Sequence, residues 1–335
     1  MPIVEGVRED NYPVRASQFS VSDNGSLVYV PAPEGVASQL TLALVDRTGS
    51  PKPLGLPPGP YSSPRISPNG KQVAFSTDDG KDRVVWIYDL DGKSAVRRLT
   101  FGGKNGFPIY SADGKRIIFS SDRDGGSALF WQAADGSGTP ERLTKPVVGR
   151  DFQHPEAVSP DGRVLTLDKA GNSIWVLELD GDRTPKELAY SQSRGDSFAT
   201  TFSRDGRWIA YHDLGQVYVE PYPPTGARYL VTKDGGVTPV WSADGKELFF
   251  MKNGLLQAVS VRTQPTVTFS LPAALPITGI ARDPGANRIY DVTPDGKQFV
   301  VLLPPGATSG DARQTLQIQV VLNWLEELKA RMPVK

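Results

Sequence analysis

One pattern recurs seven times along the chain: a short apolar strand, a Ser/Thr-x-Asp/Asn-Gly turn and a second apolar strand. The copies begin at Ser22, Ser67, Ser111, Ser159, Ser203, Ser242 and Thr293. Their glycines stand at 25, 70, 114, 162, 206, 245 and 296, so successive spacings are 45, 44, 48, 44, 39 and 51. Asp-Gly and Asn-Gly tolerate the positive φ of a tight hairpin. The residue before each Ser/Thr is apolar: Val21, Ile66, Tyr110, Val158, Phe202, Trp241 and Val292. The strand after the turn is a nearly continuous apolar run, as in Ile117-Ile118-Phe119 and Phe299-Val300-Val301-Leu302. Such runs mean burial on both faces. A period of about 45 residues made of short strands is one four-stranded propeller blade.

The remainder of each unit supplies two more strands. Third strands read Val84-Val85-Trp86-Ile87-Tyr88 or Ile174-Trp175-Val176-Leu177; fourth strands read Arg97-Arg98-Leu99-Thr100 or Glu141-Arg142-Leu143-Thr144. The chain is therefore expected to be all-β: a seven-bladed β-propeller of four-stranded antiparallel blades, 1–335 forming one domain. A six-bladed ring is the alternative count. The seventh unit lacks one strand and residues 1–7 provide a spare one. Ile3, Val4 and Val7 are expected to close the last blade beside Ile318 and Val320. A short C-terminal helix is expected over 322–332, with Asn323 as N-cap and Glu326 three residues on.

Composition narrows the function. With 37 Lys+Arg against 37 Asp+Glu, the chain has no cationic excess for a phosphate footprint, and nucleic acid is not an expected partner. No Cys is present and only His154 and His212 supply imidazoles, so thiolate chemistry is excluded and neither a metal nor a cofactor is expected. No run approaches eighteen apolar residues, so direct membrane insertion is not expected. The first residues, Met1-Pro2-Ile3-Val4-Glu5, do not read as a signal peptide.

Blade three carries Ser111-Ala112-Asp113-Gly114, Ser121-Asp122-Arg123-Asp124-Gly125 and a closing Arg142-Leu143-Thr144. These resemble the repeat of TolB-type propellers, with their S-P-D-G turn, S-D-R-D-G loop and R-L-T. At the two ends, Pro2-Ile3-Val4-Glu5-Gly6-Val7 and Val320-Val321-Leu322-Asn323-Trp324-Leu325-Glu326-Glu327-Leu328-Lys329 resemble the last propeller of large bacterial Ser/Thr protein kinases. That likeness implies a sensor-like, extracytoplasmic module or a freestanding relative. It does not imply kinase activity, because a Gly-rich loop, H-R-D and D-F-G are all missing from the sequence.

Other motifs dissolve on inspection. Gly195-Asp196-Ser197-Phe198-Ala199 resembles a nucleophile elbow but joins two strands, where an elbow needs a helix to follow. Gly92-Lys93-Ser94 lacks the upstream glycine of a phosphate loop. The acidic loops at 78–82 and 122–125 lack a Ca²⁺-loop ligand register and read as solvated turns.

The functional expectation is a non-enzymatic binding module docking a protein, peptide or cell-envelope component. The alternative is a propeller enzyme, hydrolase or lyase, with its site at the channel mouth. Function concentrates in loops held by a rigid scaffold, and Arg and aromatic residues anchor interfaces. The long inter-blade loops lie opposite the S-x-D-G turns. They and the channel below supply the candidate contacts Tyr61, Arg65, Arg150, Asp151, His154, Arg194, Asp196, Arg282, Asp283, Arg288 and Asp291.

Overall fold

A computed structural model of the chain describes residues 9–10, 16–17, 19–22, 25–29, 39–148, 152–169, 173–190, 199–281, 288–304, 307, 319–322 and 324. Six antiparallel sheets dominate it. Sheet 1 comprises Tyr61–Ile66, Gln72–Asp78, Arg83–Asp89 and Arg97–Arg98. Sheet 2 comprises Asn105–Tyr110, Arg116–Ser121, Ala128–Ala133 and Glu141–Arg142. Sheet 3 runs Gln153–Val158, Val164–Lys169, Ser173–Glu178 and Lys186–Tyr190. Sheet 4 runs Thr201–Phe202, Trp208–Asp213, Gln216–Pro221 and Tyr229–Leu230. Sheet 5 runs Val237–Trp241, Glu247–Lys252 and Leu255–Arg262, the last pairing both Thr268–Phe269 and Ala273–Ala274.

Sheet 6 closes the ring with strands from both halves of the sequence. Its order is Tyr290–Val292, Gln298–Leu303, Thr41–Asp46 and Pro51–Pro53. Residues 298–303 pair with 46–41 from Gln298↔Asp46 to Leu303↔Thr41. This sheet packs on sheet 5 through Phe249 and Phe299, whose ring centroids are 5.0 Å apart. It also reaches the first strand of sheet 1. A β-propeller of four-stranded antiparallel blades follows from this arrangement.

The turns make the ring visible from one end. A Cβ placed on Gly114 would stand 3.4 Å from Pro68, one on Gly162 3.7 Å from Ala112, and one on Gly206 3.5 Å from Pro160. One on Gly70 would stand 3.2 Å from Pro294. Each of these turns thus leans on the turn before it, and the turn of sheet 6 precedes that of sheet 1. The chemistry inside each turn is uniform. Ser203 Oγ donates to Asp205 Oδ1 at 2.5 Å and accepts from Trp208 N at 3.1 Å. In four turns the hydroxyl is the leading cause that holds the aspartate below its usual range: Asp113, Asp161, Asp244 and Asp295. The R-L-T endings of sheets 1 and 2, and Leu230-Val231-Thr232 in the same place in sheet 4, also have a job. Thr100, Thr144 and Thr232 Oγ1 each accept the third-strand amide of Val85, Leu129 and Val217, all at 2.9 Å.

Two expectations change. Among the described residues, six sheets of four or more strands stand where seven blades were expected, and the strands of the first copy, Phe19–Val21 and Leu27–Tyr29, pair with Gln319–Val321 in a separate three-stranded sheet. Sheet 6 already takes its third and fourth strands from 41–53, so its partners are filled. For the same reason, this closure uses 41–53 where residues 1–7 were expected, and Val320 pairs with Val28. Ile3, Val4, Val7 and Ile318 lie outside the described residues. Of the expected 322–332 helix, only exposed Leu322 and buried Trp324 are described.

Candidate functional site

The six first strands run side by side around a central channel, and their chain order places equivalent residues in layers. The layer just before the apolar turn residue holds Arg65, Ile109, Ala157, Thr201, Val240 and Asp291. The layer before that holds Pro64, Pro108, Glu156, Thr200, Pro239 and Tyr290. Four of the strands carry a register shift at this level, between Ser62/Arg65, Gly106/Ile109, Pro155/Ala157 and Val237/Val240. Three of these shifts contain a non-glycine residue in the left-handed region, Ser63, Phe107 and Thr238. Bulges of this kind re-aim the following side chains.

A cavity of about 270 Å³ occupies the channel. The turn residues of all six sheets line it, among them Pro68, Arg204 and Pro294, and so do Arg65, Glu156, Arg288 and Asp291. Since each strand runs toward its turn, the turns form the rim and Arg65, Glu156 and Arg288 the floor. Glu156 precedes Ser159 by three residues, which puts the floor about 10 Å below the turns at the usual strand rise.

The floor is charged and buried. Arg65, Glu156 and Arg288 are 6%, 8% and 9% exposed. Arg65 Nη1 donates to the carbonyls of Pro64 at 2.9 Å and Arg288 at 3.0 Å. Nε of Arg65 and Nε of Arg288 are buried with no hydrogen-bond partner among the described residues, as are Tyr110 Oη and Trp241 Nε1, from two further residues that line the cavity. Neither guanidinium forms a direct ion pair with a described carboxylate. Burial, reinforced by Arg288, pushes the Arg65 guanidinium down to about 9, against the pull of Asp291 and Glu156. Burial likewise pushes the Glu156 carboxyl up to about 7, with Arg65 and Arg288 only partly offsetting it. A carboxyl so placed exchanges its proton near neutrality.

The sequence candidates separate here. Arg65, Arg288 and Asp291 meet in the channel. Asp291 has a structural task, because its Oδ2 accepts the Ile66 amide at 2.9 Å across the seam between sheets 6 and 1. Tyr61 is a packing residue. Its ring meets Phe75 edge-on at 5.2 Å and its hydroxyl donates to Pro57 O at 2.5 Å. His154 belongs to a strand of sheet 3, where the sequence reading has a loop. It stacks between Phe107 at 3.6 Å and Phe152 at 4.4 Å. Burial there, with Arg83 adding to it, pushes its imidazole down to about 3, so it is neutral at physiological pH. Arg150, Asp151, Arg194, Asp196, Arg282 and Asp283 lie outside the described residues. Sequence reasoning missed Glu156, Tyr110 and Trp241. Aligning the six strands exposes Glu156, the lone carboxylate in a layer otherwise of Pro, Thr and Tyr. Among the described residues, no three His, Asp or Glu side chains cluster as a metal site would require.

Comparison with known proteins agrees with this architecture. The model of the TolB beta propeller domain matches residues 5–166. The chain is 42% identical over 158 residues to the uncharacterized protein Atu1656 of Agrobacterium fabrum, an alignment covering 43% of this chain and 52% of that protein. It is 25% identical over 206 residues to Tricorn protease homolog 1 of Streptomyces coelicolor, covering 57% of this chain but 18% of that protein. The chain thus spans about half of the first relative and a small part of the second. Among solved structures, the putative TolB from Agrobacterium tumefaciens superposes with a TM-score of 0.58 at 17% identity, covering 79% of this chain and 98% of that one. The family model thus matches just under half of the chain, and the structural neighbour shares its β-propeller fold.

Proposed function

We propose that this propeller is a non-enzymatic binding module, a sensor or docking domain whose partner is a protein, peptide or cell-envelope component. The observation that carries it is the channel cavity, walled by all six first strands and floored by buried charged side chains. Rigid strands hold those side chains, which lowers the entropy lost on binding. The TolB-like repeat supports a docking role, and the kinase-like ends support a sensor role within a longer protein. Peptide display on the folded chain tests the reading. Selected peptides should bind one-to-one and lose affinity when Arg204 at the rim is changed to Glu. Weakening instead by Arg150→Glu with Arg282→Glu would move the contact to the opposite, loop-rich end. Failure to select any binder would count against a docking module.

A second reading, a hydrolase or lyase, is favoured by one observation: Glu156 combines a proton affinity near neutrality with two adjacent guanidiniums, as a general acid–base needs. Turnover of an ester or lactone panel that disappears in Glu156→Gln would establish it.

A further inference from the structure

The two guanidiniums on the channel floor are over-supplied with donors. Arg65 spends one nitrogen on two carbonyls, while Arg288 donates to no described residue. Both are more than nine-tenths buried, both leave Nε unpartnered, and neither has a direct ion-pair partner among the described residues. A buried cation without a paired anion costs free energy, and a planar fork of donors matches a carboxylate. The opposite wall offers Ala157, Thr201 and Val240, which suit the carbon skeleton of a ligand rather than its charge.

We infer that the channel floor is a carboxylate-binding site in which Arg65 and Arg288 share one carboxylate of a ligand entering from the turn end. This rests on reading the propeller as a binding module. Depth limits the ligand. With the floor about 10 Å below the rim, an Asp or Glu side chain on a flat protein surface stops short of it. An extended chain of about three residues ending in a free C-terminus spans that depth. A small free dicarboxylic acid is the other source of the same chemistry.

Glu156 couples this binding to protons. The charges that act on it are Arg65 from sheet 1 and Arg288 from sheet 6; Asp291 and Tyr290 of sheet 6 act on that same Arg65, Tyr110 of sheet 2 lines the same cavity, and His154 lies two residues before it on its own strand. The first strands of sheets 4 and 5 add no charge, and Arg204 stands at the rim. His154 is neutral, and the phenols of Tyr110 and Tyr290 are held protonated by burial. Glu156 is thus the group that changes charge near neutrality. Ionised, it repels an incoming carboxylate; protonated, it donates a hydrogen bond to it. Binding therefore takes up a proton from solvent.

Calorimetric titration of the whole chain tests this with glutarate, triglycine and triglycine C-terminal amide at pH 6 and pH 8. A carboxylate ligand should bind roughly tenfold more tightly at pH 6, as follows from a binding-competent protonated form with a pKa near 7. Arg288→Gln should weaken it roughly tenfold to a hundredfold. Glu156→Gln should bind with the pH dependence gone, and both variants are checked for a native melting transition. Glutarate binding alone identifies a free acid as the source; triglycine binding that amidation abolishes identifies a chain terminus. Absence of heat from every carboxylate, equal binding of inorganic sulfate, or unchanged affinity in Arg288→Gln overturns the inference. A chain that refuses carboxylates yet binds displayed peptides loses this site and keeps the module reading. The converse result removes the peptide-docking reading alone.

Discussion

Ser67-Pro68-Asn69-Gly70 and Ser22-Asp23-Asn24-Gly25 share three of four residues, yet only the first belongs to the ring. Locally the two behave alike. Ser67 Oγ accepts the Gln72 amide at 2.9 Å, Ser22 Oγ accepts the Ser26 amide at 3.0 Å, and both glycines have positive φ. The difference lies outside the turn. Gly70 packs under Pro294 of the neighbouring turn, and its sheet carries Val73 and Ala74 at 0% exposure. Around the other copy Leu27 is buried, but Phe19 is 58% and Val320 57% exposed. Hairpin chemistry makes a hairpin; two flanking sheets make a blade.

The largest effect should come from removing what closes the ring. Deleting 41–53 strips two strands from sheet 6 and leaves Gln298–Leu303 as an open edge. The expected outcome is loss of cooperative thermal unfolding in circular dichroism. Deleting 1–29, which removes the outlying copy, should leave a cooperative transition and shift Tm by only a few degrees, roughly the effect of losing about 1 kcal/mol. Equal damage from both deletions would erase the distinction drawn here.

Single side chains sharpen it. Phe299, fully buried against Phe249, should cost about 3–5 kcal/mol when changed to Ala. Val28→Ala in the outlying sheet should cost within about 0.5 kcal/mol by denaturant titration, since Val28 is 37% exposed.

The ring interior also imposes a charge cost that a solvated sheet does not. Glu156 binds its proton more tightly folded, at about 7, than at its ordinary value of 4.5. The folded state therefore holds more protons across that window, and stability falls as pH rises from 4.5 toward 7, levelling off above it. The shift corresponds to about 3 kcal/mol. Glu156→Gln should flatten that part of the pH–stability profile; an unchanged slope would mean that the carboxyl is hydrated.

The smallest contrast is within the turns. Ser203→Ala removes a hydroxyl from a residue 4% exposed and should cost about 1–2 kcal/mol by urea titration. Ser22→Ala, in an exposed turn, should cost well under that, about 0.5 kcal/mol or less.

Most of the fold was legible because its signals are local. The turn glycines, the apolar runs beside them and the R-L-T endings each follow from hydrogen bonds or burial within one unit of about 45 residues. Arg65, Arg288 and Asp291 were also within reach, since they interrupt otherwise apolar or proline-bearing strands. Tyr61 and His154 looked like interface residues because an aromatic in a loop and one in a core share a sequence signature. Only Phe75 behind Tyr61, and Phe107 and Phe152 around His154, show them to be packed.

By itself, the sequence determined that the chain is a repeat of antiparallel four-stranded units with closely similar turns, since those depend on neighbours a few residues away. Tertiary structure decided how many copies enter the ring, which N-terminal segment completes sheet 6, and that Arg65, Glu156 and Arg288 share one floor. The physical reason is distance along the chain. Arg65 and Arg288 are 223 positions apart, yet one donates to the other's carbonyl at 3.0 Å. No local preference encodes such a meeting; it exists only once a closed ring has brought the first and last sheets edge to edge.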